Sequence, residues 1–329
     1  MDMRVPQAVL QAYNNNVFNR ERLIPGSDTL FQTPPKYSVQ SYEKSIEFMF
    51  SEQLKASYNK EQHAMWLRWN PVTRPCFNPE LLDDLNNYCR FVANTDAQIN
   101  FDEESLPLEY TVISSDFPKV FNLGGDLNLF MRMIECRDRL GLIQYGKSCI
   151  EVLYWNYIAY NLPLTTLSLV EGECLGGGFE AALSSDLIIA ERQARFGFPE
   201  ISFNLFPGMG AYSFLCRRAG QKTTEELLTT GKIYSAEEML ALGVVDAVVD
   251  EGKGKEEIVE LIKRRQRSRN GLVSLAAVRR RVQKLDFAEL LDVVEMWADA
   301  ALRLTPRDLK LMNRLVTRQS DLCGSRSIH

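Results

Sequence analysis

The chain has 329 residues, 45% of them apolar and 25% charged, and carries a formal net charge of −5. That length suffices for one large domain with an appendage or for two domains. The acidic balance gives no chain-wide footprint for nucleic acid, and no apolar run reaches the roughly 18 residues that a membrane-spanning helix needs.

The start, MDMRVPQAVLQAYNNN, has no basic segment followed by an apolar one. Neither signal nor transit peptide is expected, and the protein reads as cytoplasmic. Residues 1–35 form an extension with turn signals at Pro25-Gly26 and Pro34-Pro35, expected to be a surface arm or a partner-binding arm. The seven cysteines are odd in number and form no CxxC pair, so buried free thiols are expected. Histidine is confined to His63 and His329. That argues against Ser-His-Asp and Cys-His machinery and against His-rich zinc sites. Acid–base chemistry would fall to carboxylates, Lys or Tyr.

Residues 36–250 alternate strand and helix patterns. Strands are predicted at Ser45–Phe50, His63–Trp69, Tyr110–Ser115, Thr165–Val170, Leu187–Ala190 and Val244–Val249. Asn78-Pro79 opens a helix with the apolar stripe Leu81, Leu82, Leu85, Tyr88, Cys89 and Val92. Gly124-Gly125 makes a turn into a helical stretch from Asp126, and Gly176-Gly177-Gly178 breaks into a short helix from about Phe179. Ser235-Ala-Glu-Glu238 is a capping box. Residues 251–322 read as helical and charged, and the tail 323–329 is compositionally detached. The alternation implies an α/β fold with a helical C-terminal region.

Three segments could carry chemistry. Gly176-Gly177-Gly178-Phe179-Glu180 sits between strand and helix, where glycine admits a ligand close to the backbone and the helix start offers free N–H groups to an oxyanion. Most such turns are merely tight; no GK[ST] or GxGxxG spacing supports a nucleotide. Phe121-Asn122-Leu123-Gly124-Gly125-Asp126 has the same strand–glycine–helix form, and both turns could aim one N–H at a shared oxygen. Glu200 follows Phe196-Gly197-Phe198-Pro199. Poor solvation there would raise its pKa; taken alone, it reads as a surface glutamate after a loop proline.

In order and spacing, the runs Gly172–Glu180, Ser185-Asp186, Ala194–Glu200 and Pro207-Gly-Met-Gly210, with Phe121–Asp126 before and Thr230–Asp246 after, resemble the enoyl-CoA hydratase (crotonase) superfamily. The resemblance covers about residues 64–320. Phe206–Leu215, the N-terminal extension and the Glu180–Glu200 pair look most like the synthases of diffusible signal factor, which make cis-2-unsaturated fatty acids. Ordinary hydratases carry a second glycine at Ala211 and a smaller residue at Phe179.

This resemblance implies a ClpP/crotonase-like fold of repeated ββα units and a homotrimer. It implies Glu180 and Glu200 as catalytic residues and the N–H groups of Leu123 and Gly177 as oxyanion donors. Gly124, Gly125, Gly176, Gly178, Phe179, Pro207, Gly208 and Met209 become candidates for the substrate pocket. The implied reaction dehydrates a 3-hydroxyacyl thioester, on acyl carrier protein or coenzyme A, and hydrolyses the thioester without metal or redox cofactor. Glu200 is expected at the C2 proton and Glu180 at the hydroxyl. The alternatives are a plain enoyl-CoA hydratase or isomerase, and a catalytically idle fold that binds a sensor protein. The aromatic run Tyr154–Tyr160, with Met131 and Met133, is expected in helical core and could wall an acyl tunnel. The basic runs Lys263–Arg269 and Arg279–Lys284 read as solvated helix faces, or as a dock for the acidic carrier protein.

Overall fold

The computed structural model describes residues 35–72 and 74–324. The expected N-terminal arm lies outside them. Strands β1 (Ser38–Ser41), β2 (Ser45–Met49), β3 (Leu54–Asn59) and β4 (Ala64–Trp69) form an antiparallel meander. Burial alternates along β2 and β3, with Ile46, Phe48, Leu54, Ala56 and Tyr58 turned inward, as a one-sided sheet requires. Helix α1 (Pro79–Ala93) starts at Asn78, whose Oδ1 accepts the Leu81 N–H at 2.8 Å. Its expected apolar stripe is buried throughout. The hairpin β5 (Gln98–Phe101) and β6 (Glu104–Pro107) follows.

Two strand–strand–helix units come next, then a third that departs from the pattern. The first is β7 (Tyr110–Ser115), β8 (Val120–Asn122) and helices α2 (Leu127–Glu135) and α3 (Arg139–Tyr157). The second is β9 (Thr165–Val170), β10 (Glu173–Leu175) and α4 (Gly177–Leu183). In the third, β11 (Leu187–Glu191) and β12 (Arg195–Gly197) lead through a 3-10 turn, Pro199–Phe203, to α5 (Ala211–Ala219) and α6 (Gln221–Thr230). Then come β13 (Ile233–Ser235), α7 (Ala236–Ala241) and β14 (Ala247–Val249).

The longer strands complete an eight-stranded sheet in the order β1-β2-β3-β4-β7-β9-β11-β14, parallel from β4 onward. Strand β9 is buried at every position, because both faces of this part of the sheet are covered. One face packs the main core. On the other, Ile258 and Ile262 of α8 (Gly254–Gln266) cover Val112, Leu167, Leu169 and Ile189.

Helices α9 (Arg269–Val282), α10 (Phe287–Ala301) and α11 (Pro306–Gly324) finish the chain. Leu290, Val294, Trp297 and Met312 from α10 and α11 join the main core. The last helix runs through Cys323 and Gly324, so the tail expected from residue 323 begins inside it. The strand expected over Val244–Val249 shortens to Ala247–Val249, since Val244 and Val245 turn off α7. The aromatic run does not stay helical: Ala159, Tyr160 and Asn161 all take positive φ, 49°, 55° and 55°. Cys76, Cys89, Cys149 and Cys174 are buried free thiols, whereas Cys136 is exposed.

The basic runs stay mostly on the surface, as solvated helix faces do, while some of their members pair within the fold. Arg280 reaches both oxygens of buried Asp186, at 2.7 and 2.6 Å, and Arg279 pairs with the same carboxylate. Lys263 pairs with Glu260 and Arg264 with Glu257 on their own helix. Arg269 donates to the Pro163 carbonyl at 2.8 Å.

Candidate active site

The short strands form the second sheet, in the order β13-β12-β10-β8, and place the site. Strands β8, β10 and β12 are parallel, with Cys174 level with Asn122 and Leu175 level with Gly197. Their carboxyl ends therefore leave one edge together. From β8 emerges Leu123-Gly124-Gly125, from β10 Gly176-Gly177, and from β12 Phe198-Pro199-Glu200. Loops at the carboxyl ends of parallel strands are a common place for a site.

The two glycine turns meet. A Cβ on Gly124 would lie 2.6 Å from the Gly177 nitrogen, and one on Gly177 would lie 3.2 Å from Gly124 Cα and 3.5 Å from the Gly125 nitrogen. Gly124 has φ +90° and Gly176 has φ +52° with ψ −127°, conformations that suit glycine alone. A Cβ on Gly176 would also stand 2.5 Å from Glu200 Oε1.

Hydrogen bonds fix the first turn and correct one expected donor. The Leu123 N–H is donated to the Pro75 carbonyl at 2.7 Å, so it is not available to an oxyanion. The Gly124 N–H goes to Asn122 Oδ1 at 2.7 Å, and the Gly124 carbonyl accepts from the Phe77 N–H at 2.8 Å. Among the described residues, no acceptor takes the N–H of Gly125 or of Gly177. These two unsatisfied donors sit side by side, each just before or at a helix start. Asp126 caps α2, accepting from the Asn128 and Leu129 N–H groups at 3.0 and 3.2 Å, and is held by Arg74 Nη2 at 2.7 Å.

The C-terminal helix braces both halves. Gln319 Nε2 reaches the carbonyls of Leu123 and Gly125 at 3.4 and 3.3 Å. Asp308 Oδ2 accepts from Asn204 Nδ2 at 3.3 Å, and Asn204 ends the turn that carries Glu200.

Glu180 lies on α4 and is 1% exposed. Its Oε1 accepts the N–H groups of Met209 and Ala211 at 2.8 and 2.9 Å. Burial raises its pKa from 4.5 to about 7, and those two donors limit the rise. Glu200 keeps some surface toward the cavity, yet its Oε2 is buried without a partner. Its pKa is pushed to about 8, mainly by burial and then by the Glu180 charge. Near neutrality the pair holds about one proton, so one acid and one base coexist.

Both carboxyls face a cavity of about 1030 Å³, its mouth included. Of the pocket candidates, Gly125, Pro207, Gly208 and Met209 line it, together with Leu123 and Gly177. The remaining pocket candidates, Gly124, Gly176, Gly178 and Phe179, do not. Gly178 is pressed against the Asn122 carbonyl, and Phe179, on the other side of α4, stacks on Phe198 at 4.9 Å. Of the aromatic run, Tyr160 and Asn156 reach the cavity; Met131 and Met133 do not. The apolar wall comes instead from Trp69, Leu85, Tyr88, Tyr145, Leu153 and Trp297. Their stripes were legible as core, and nothing in their spacing told a cavity wall from solid packing.

With this geometry, a model of the enoyl-CoA hydratase/isomerase family matches residues 98–290, more than half of the chain. The chain belongs to that family. The probable enoyl-CoA hydratase 2, mitochondrial, of Arabidopsis thaliana is 31% identical over 193 residues. The match covers 58% of this chain and 58% of that protein. Solved structures share the fold. A putative enoyl-CoA hydratase from Streptomyces avermitilis aligns over 84% of this chain and 97% of its own, with TM-score 0.65 and 18% identity. Pseudomonas aeruginosa DspI aligns over 74% and 91%, with TM-score 0.60 and 21% identity.

Two outcomes follow for this crotonase-family site. Between pH 4.5 and the raised values, the folded protein keeps protons that the unfolded chain has released. The resulting stability is fully present below about pH 4.5 and is lost as pH rises through 7 to 8. The double variant Glu180→Gln, Glu200→Gln should therefore gain melting temperature over wild type as pH is raised; a difference constant with pH would contradict this. Gly124→Ala, with its Cβ against the Gly177 nitrogen, should lower turnover by ~10²–10³. Unchanged steady-state turnover would show that the two donors do not act together.

Proposed function

We propose that the protein dehydrates a 3-hydroxyacyl thioester, carried by acyl carrier protein, and then hydrolyses the thioester to release a cis-2-unsaturated fatty acid. The observation that supports this most is the pairing of two carboxyls of raised pKa with two N–H groups that no acceptor takes among the described residues, all lining one largely apolar cavity. The thioester oxygen sits on the Gly125 and Gly177 N–H groups. The acyl chain lies in the cavity, whose lining is mostly apolar.

Before substrate binds, the first negative charge settles on Glu180, because two N–H groups hold its carboxylate. The division expected from the sequence places that charge on Glu200. A substrate hydroxyl lying between the two carboxyls reconciles them. It accepts the Glu200 proton and passes its own to Glu180, leaving Glu200 ionised and Glu180 protonated. Glu200 then takes the C2 proton, and negative charge builds on the thioester oxygen, where the two N–H groups hold it. The C3–O bond breaks as Glu180 gives its proton to the hydroxyl, and water leaves. In the second step a carboxylate takes a proton from water, whose oxygen attacks the thioester carbonyl in the same hole. The carbon–sulfur bond breaks, and the sulfur leaves with a proton as the carrier thiol.

The Arabidopsis relative favours a second reading, in which the reaction stops at the enoyl thioester. The raised pKa values of both glutamates speak against an idle binding protein, since ionising buried carboxyls has a stability cost.

The test supplies 3-hydroxydodecanoyl thioester on carrier protein and, separately, on coenzyme A, with mass spectrometry of the products. Wild type should release free cis-2-enoic acid, and the Glu180→Gln, Glu200→Gln variant should release none. Enoyl thioester without free acid would move the assignment to a hydratase, and no turnover of either donor would remove the enzyme reading.

A further inference from the structure

Gln319, on α11, is 3% exposed and is not among the residues that line the cavity. Its side-chain amide faces two carbonyls, those of Leu123 and Gly125, at 3.4 and 3.3 Å. Carbonyl oxygens only accept, so the facing atom is Nε2, whose two hydrogens serve both. An amide flip would set Oε1 against two acceptors. As placed, Oε1 is buried and has no partner among the described residues. The two carbonyls belong to the peptides on either side of Gly124–Gly125, the peptide that carries the Gly125 N–H. The oxygen of that middle peptide takes the Phe77 N–H at 2.8 Å. Three successive peptides are thus pinned through their oxygens, two of them by one side chain.

Glycine has the widest backbone freedom, and Gly124 stands at φ +90°, so a turn built on Gly124-Gly125 needs holding from outside. The unpartnered Oε1 separates that duty from plain stability. A buried polar atom without a partner weakens a fold, and an apolar side chain of the same length would bury no such atom. We propose that Gln319 is a positioning residue for the oxyanion site: through the Leu123 and Gly125 carbonyls it holds the Gly124–Gly125 peptide with its N–H aimed at the thioester oxygen. The inference rests on the reading of Gly125 and Gly177 as the donor pair. Gln319 touches no reacting atom, so its effect on the reaction runs through that peptide. Such an effect falls on the transition state more than on the bound ground state, because the oxygen gains its charge there.

The test compares full-length wild type with Gln319→Met, which keeps the length of the side chain and removes its amide. Each is read for melting temperature, for kcat and KM with 3-hydroxydodecanoyl thioester, and for the infrared band of a bound saturated thioester labelled at the carbonyl carbon. Gln319→Met should fold and lower kcat roughly 10-fold, short of the ~10²–10³ for a donor lost outright. Its KM should stay within about twofold of wild type, the mark of an interaction made in the transition state. Its bound carbonyl should absorb nearer the solution frequency than that of wild type. Gln319→Glu, the same shape with acceptors facing both carbonyls, should show the same signature and stands in if the methionine variant does not fold. A folded variant with wild-type kcat and band would overturn the proposal. Failure of both variants to fold would overturn it too, by making Gln319 a residue of stability alone. A wild-type band already at the solution frequency would remove the donor-pair reading, and the proposal with it.

Discussion

The backbones of Gly124 and Gly177 are in van der Waals contact, and no residue with a side chain could hold either place without moving the other. This contact needs two strands that end at the same level, which the parallel register of β8 and β10 supplies. It also needs the first turn to spend its other hydrogen bonds elsewhere. Pro75, Asn122 and Phe77 take the groups of Leu123 and Gly124, and the Gly125 and Gly177 N–H groups are what remains. The third strand of the same sheet sets Glu200 against Gly176. One register thus delivers the donors and a carboxyl to one point.

The cavity gives those groups their chemistry. Its wall of Trp69, Tyr145, Leu153 and Trp297 leaves little to solvate a charge, and both carboxyls hold their protons to near neutral pH or beyond. Glu180 and Glu200 sit in different surroundings, one on two N–H donors and the other with an unpartnered oxygen. That difference is what separates an acid from a base within a like-charged pair.

Much of this was legible in the residues. Period-two and helical patterns place Ser45–Met49, Tyr110–Ser115, Thr165–Val170 and α1 within a residue or so. Glycine runs between strand and helix point to both turns. What the sequence does not carry is which N–H a turn leaves over, because that depends on partners far along the chain. Leu123 lost its place to Gly125 through Pro75, 48 residues earlier by subtraction of the two positions. Nor does periodicity separate Tyr160 on the cavity from Trp155 in solid core. The brace from Gln319 was invisible for the same reason: it joins residues 194 and 196 positions apart. Arg279 and Arg280 read as a basic surface, and the structure sets them on the buried carboxylate of Asp186.

Everything in the site turns on the Gly125 and Gly177 N–H groups polarising a bound thioester carbonyl. Difference infrared spectroscopy of a saturated acyl thioester, isotopically labelled at the carbonyl carbon, reads that interaction directly and without turnover. The bound carbonyl should absorb at lower frequency than in water, and Gly124→Ala should return it toward the solution value. A bound carbonyl with its solution frequency in wild type would show that neither N–H reaches it.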